Sequence, residues 1–149
     1  MKRFLLFNIG ALIISGPSGA VEIQDCSVVD FDSANIAEPF EENLRPYANG
    51  NVQLMVVDTN ESVVGAFHLL VFSPPYDEFG KGGCKGISYG AGVGFDAVSL
   101  KEADAQYDPK IGLSLELPVA VRAVGMNEGL LSLTLNQATG QIKAEIIFD

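Results

Sequence analysis

The sequence predicts an all-β protein, a small antiparallel β-sandwich or partly closed barrel with a C-terminal meander. Three observations carry this. From Ile111 to Ala123 every odd-numbered residue is apolar, and the alternation resumes at Leu131, Leu133 and Leu135 and again at Ile142, Ala144, Ile146 and Phe148. A period of two is the side-chain repeat of a strand with one face in water. Turn chemistry recurs at short intervals, at Asn49-Gly50-Asn51, Asp58-Thr59-Asn60-Glu61, Pro74-Pro75 and Asn136 to Gly140. It divides the chain into roughly seven or eight short strands. Helical signals are confined to two brief polar stretches, Pro39 to Leu44 and Lys101 to Pro109. An outer-membrane barrel does not fit, because apolar and polar residues do not alternate along the whole chain.

Taken in order, residues 1–20 read as a secretory signal peptide and residues 21–149 as a single β-rich domain. Met1-Lys2-Arg3 is basic, Phe4 to Ile14 is apolar, and Ser18 and Ala20 occupy the −3 and −1 positions of a cleavage site. Val21 to Phe31 is a first strand carrying Cys26. Pro39 to Leu44 is a helical turn, with Pro39 near its start and Pro46 beyond its end. Val52 to Val57 is β-branched and reads as a strand, and Val63 to Phe72 forms a hairpin with it. On the second strand of that hairpin both faces are apolar, which predicts a central position covered on both sides. Tyr76 to Gly92 is rich in glycine and predicts a long loop. Val93 to Leu100 reads as a strand and Gly125 to Gly129 as a turn. Pro118 falls within the alternating run, so that strand is expected to lie at a sheet edge or to carry a bulge there.

Composition narrows the function. The 149-residue chain carries a formal net charge of −10, and loss of Lys2 and Arg3 with the leader takes this to −12. Such a chain lacks the basic surface that nucleic-acid binding requires. A basic envelope or extracellular protein is the expected partner. After signal cleavage no stretch is long and apolar enough to span a membrane. Cys26 and Cys84 are the only cysteines. In an oxidising periplasmic or extracellular compartment they are expected to form a disulfide. They lack the close spacing of a metal or dithiol redox motif.

No catalytic residues, metal ligands or cofactor motifs are assigned. His68 is the only histidine, sits mid-strand and reads as a core residue. Val56-Val57-Asp58-Thr59 begins like an aspartic-protease catalytic turn, but Asn60 stands where glycine is needed and there is no second copy. The acidic run Asp30, Asp32, Glu38, Glu41 and Glu42 lacks the glycine and glutamate positions of an EF-hand. The candidate binding surface is the loop 76–89, with Tyr76, Phe79 and Tyr89 supplying aromatic area and Asp77 and Glu78 supplying charge. The expected function is a non-catalytic binding or interaction domain, such as an acidic inhibitor or accessory protein. A carboxylate-dependent hydrolase and a fimbria-like structural subunit are the alternatives.

Overall fold

A computed structural model describes residues 21–27, 35–60, 65–90, 93–122 and 125–148. The predicted leader, residues 1–20, lies outside them, as do Asp30 and Asp32 of the acidic run. The elements are β1 (Val21–Asp25), α1 (Phe40–Asn43), β2 (Leu44–Tyr47), a 3-10 turn (Ala48–Gly50), β3 (Val52–Asp58), β4 (Phe67–Ser73), β5 (Gly83–Tyr89), β6 (Ala97–Val98), β7 (Asp104–Asp108), β8 (Gly112–Arg122), β9 (Met126–Leu135) and β10 (Ile142–Phe148).

They form two antiparallel sheets, one ordered β1-β5-β4-β3-β2 and the other β10-β9-β8-β6, with β7 also pairing along β8. The sheets do not close into a barrel, and the expected sandwich is the fold. The alternating residues meet between them. Val52, Leu54 and Val56 of β3, Leu69 and Val71 of β4, and Ile87 of β5 pack against Leu113 to Val121 of β8 and Leu131, Leu133 and Leu135 of β9. Each fully buried aliphatic side chain of this kind stabilises the fold by roughly 1.5–3 kcal/mol. β4 lies between β3 and β5, and His68 and Leu70 on its other face are buried too. This is the two-sided cover expected of that strand.

Pro118 sits in β8 opposite Leu130 of β9. Its carbonyl accepts from the Ser99 amide at 2.9 Å. The proline nitrogen therefore faces the same edge, between Glu116, which lies opposite the first residue of β7, and Val119, which lies opposite the last residue of β6. The missing donor coincides with that gap, so the long strand continues without a lost ladder bond.

Several sequence expectations are corrected. The loop read from Tyr76 to Gly92 is shorter, because Gly83–Tyr89 is β5, held between β1 and β4. Its glycines hid a strand whose pairing comes from both neighbours. Lys101 to Pro109 is not a helical turn: it contains β7, whose five residues are all exposed. With both faces in water, that strand has no apolar period to read. β9 already begins at Met126, so Gly125 to Gly129 is not a turn throughout. The helical turn expected over Pro39 to Leu44 is α1, and Pro46 lies beyond its end as expected, inside the short edge strand β2. The strand expected from Val63 begins at Phe67, and that expected over Val93 to Leu100 shrinks to β6 plus a bridge from Phe95 to Phe67. Cys26 lies one residue past the end of β1.

Candidate functional site

The disulfide is present. Cys26 and Cys84 are bonded, with their Cα atoms 5.4 Å apart, and the Cys26 amide donates to the Cys84 carbonyl at 3.2 Å. It fastens the end of β1 to the start of β5, immediately after the surface loop. Such a bond points to an oxidising environment, and among the described residues no helix is long and apolar enough to cross a membrane.

The loop that remains from the longer expectation runs from Pro74 to Gly82, between β4 and β5. Pro74-Pro75 stop β4 because neither can donate to a ladder. Asp77 then organises the turn. Its Oδ1 accepts from the amides of Phe79 at 2.9 Å and Lys81 at 2.8 Å. Its backbone closes the ring, the Asp77 amide donating to the Lys81 carbonyl and the Gly80 amide to the Asp77 carbonyl. Gly80 has φ +76°, the left-handed conformation that glycine takes without strain. Tyr76 donates its hydroxyl to the Asn51 carbonyl at 2.5 Å, tying the loop to the turn before β3. A hollow of about 340 Å³ adjoins it, lined by Tyr76, Phe72, Gln53 and Gly82 to Cys84. The consequence is a braced loop with Phe79 87% exposed at its tip and Tyr76 about half exposed.

The five candidate residues therefore separate. Tyr76, Asp77, Glu78 and Phe79 share the loop, but the Asp77 carboxylate is committed to loop amides. Tyr89 is buried in the core at the end of β5, opposite Val21. It does not join the other aromatics at the surface. Glu78 is exposed and makes no hydrogen bond or ion pair among the described residues.

The residues that chemistry would have recruited are placed elsewhere. His68 Nδ1 lies 2.6 Å from Ser88 Oγ, but both residues are buried, leaving a substrate no approach to the pair. The Asp58 carboxylate accepts from the Asn60 amide at 2.9 Å and so caps its own turn.

A second feature had no local signal in the sequence. A cleft of about 610 Å³ opens where α1, the 97–102 segment and the first residues of β9 converge. Arg45 holds one wall, donating to the Leu100 and Lys101 carbonyls at 3.0 Å each. Lys101 makes an ion pair with Glu42 at 2.8 Å, and that hydrogen bond and charge hold its ammonium above the usual lysine range. Asp96 steadies the neighbouring segment, accepting from the Gly65 amide at 2.9 Å and from Arg122 Nε at 3.2 Å. The residues involved come from distant parts of the chain, which is why no single stretch announced the cleft. No family model matches the chain, and neither a curated protein nor a solved structure matches it.

Proposed function

We propose that this chain is an exported, non-catalytic binding domain that presents the loop Pro74–Gly82 to a protein partner in the periplasm or outside the cell. Export rests on the tripartite pattern of residues 1–20 and on the Cys26–Cys84 disulfide. The observation that carries the binding role is Phe79, almost fully exposed at the tip of a loop whose own backbone is already ordered. Burying such an aromatic against a partner contributes roughly 1.5–3 kcal/mol, and little of that is spent on ordering a loop that Asp77, Tyr76 and the disulfide already hold. The formal charge, −10 for the whole chain and −12 without Lys2 and Arg3, favours a basic partner and speeds its approach.

The test is affinity capture from the envelope fraction of the exporting organism, followed by binding measurements with the purified partner. A Tyr76→Ala, Phe79→Ala variant keeps the wild-type circular dichroism and loses the partner. Glu78→Gln mainly slows association and flattens its salt dependence. Equal affinity of the double variant and wild type would make the loop structural and refute the proposal.

A further inference from the structure

We infer that the cleft between α1 and the start of β9 is a second binding site, and that it takes an extended peptide segment of a partner protein in which basic and apolar side chains alternate. Three observations support this. The cleft, at about 610 Å³, is within the size range of ligand sites. Apolar side chains, among them Val56, Phe67, Val98, Val119 and Leu130, contribute to its lining. Its rim carries four glutamates, Glu38, Glu42, Glu102 and Glu128, against one lysine. That lysine, Lys101, is already matched by Glu42, and Glu102 accepts from the Ser99 hydroxyl at 2.6 Å. Glu38 and Glu128 make no ion pair among the described residues.

The two carboxylates without a cation come from different elements, one beside α1 and one on β9, with the apolar floor in the same cleft. A ligand that satisfies both needs two cationic groups separated by apolar surface. An extended chain alternates its side chains between opposite faces, so one set turns toward the floor while lysines or arginines reach the rim. A second copy of this acidic chain is a poor occupant, because like charges would face each other.

The site is separate from the Pro74–Gly82 loop. The loop follows the last residue of β4 and lies beside Gly140 of the β9–β10 turn. The cleft is lined instead by Phe67, the first residue of β4, and by Glu128 to Leu130 near the start of β9. The two surfaces thus occupy opposite ends of the sandwich, and either inference can fail without the other.

The experiment titrates the purified full chain with a capped heptapeptide alternating lysine and valine, followed by calorimetry and by amide chemical shifts. Controls are the same peptide with glutamate for lysine, the same with serine for valine, and spermidine. The expected result is saturable binding of the lysine–valine peptide with shifts concentrated at Val98, Val119 and Gly129. A Glu38→Gln, Glu128→Gln variant is expected to bind about tenfold more weakly, and Tyr76→Ala, Phe79→Ala to bind as wild type. Binding that the serine peptide or spermidine equals would reduce the effect to charge alone and overturn the inference. So would unchanged affinity in the glutamine variant, or shifts centred on the Pro74–Gly82 loop.

Discussion

Removing the disulfide is the perturbation whose size is best worked from this structure. Cys26 and Cys84 are 58 positions apart, and closing a loop of that length in the unfolded chain stabilises the fold by about 4 kcal/mol in the chain-entropy account. The folded state has little with which to offset the loss locally. β1 is an edge strand, held by its ladder to β5 and by an exposed Lys85–Asp25 ion pair at 2.5 Å. Such an exposed pair is worth about 1 kcal/mol or less. Ile23 of β1 is more than a third exposed, so apolar burial adds only part of its usual share. A Cys26→Ala, Cys84→Ala variant is therefore expected to lose about 2–5 kcal/mol in urea unfolding, and reduced wild-type protein to match it. Hydrogen exchange of the β1 amides should accelerate more than that of β3 or β9. The Asp77 turn should persist in any variant that still folds, since its hydrogen bonds are local. A loss below about 1 kcal/mol, with β1 protection unchanged, would refute the argument that the bridge anchors this strand.

Other outcomes follow from the registers and partners. Leu133 is fully buried between Leu115 and Ala144, so Leu133→Asp should cost more than about 3 kcal/mol and leave the chain unfolded by circular dichroism. Ser132, one position away on the outer face, lies between Glu116 and Glu145; Ser132→Lys should stabilise by about 0.2–1 kcal/mol in urea unfolding and Ser132→Asp should destabilise by a similar amount. Burial holds the Tyr47 hydroxyl above the usual tyrosine value, with Arg45 acting in the opposite direction. The neutral ring is thus favoured in the fold, and that stabilisation is present below the unfolded pKa of about 10 and is lost as pH rises through the folded value. Tyr47→Phe, which deletes a buried hydroxyl that meets no hydrogen-bond partner of good geometry among the described residues, should change stability at pH 7 by about 1 kcal/mol or less and remove this alkaline loss in a pH series of melts. Asp77→Ala should speed exchange at Phe79 and Lys81 amides, whereas Asp77→Asn, which keeps Oδ1 as an acceptor, should largely preserve their protection.

The parts of the fold legible in the sequence are those where one face is wet and the other buried. Leu113 to Val121 on β8, Leu131 to Leu135 on β9, and the turn closed by Gly140 follow directly from alternation and turn chemistry. β5 was hidden because Gly83 and Gly86 contribute no side chain to the pattern, while its pairing depends on β1 and β4, both distant in sequence. β7 was hidden for the opposite reason, since a strand exposed on both faces has no contrast. Of the candidate site, the local cluster Tyr76 to Phe79 was legible because loop chemistry is local. Tyr89 was misplaced with the strand that contains it. The cleft required Glu38, Leu100 and Leu130 to be known as neighbours, and that is information held by the tertiary fold alone.

The distinction between committed and uncommitted polar groups bears on the proposed binding role. Asp58 and Asp77 each accept from the amides of their own turns, Asp96 joins Gly65 to Arg122, and His68 lies against Ser88 in a buried position. Acid–base or nucleophilic work needs such groups turned toward a substrate, and here they are held by neighbouring amides or side chains. At the two ends of the sandwich the same groups leave others free. With Asp77 bracing its loop, Phe79 and Glu78 face solvent; with Arg45 and Lys101 holding the cleft wall, Glu38 and Glu128 make no ion pair among the described residues. Rigid support beneath exposed apolar and anionic groups lowers the ordering cost of association, and this supports the proposal that a basic, partly apolar protein surface is the complement of both ends.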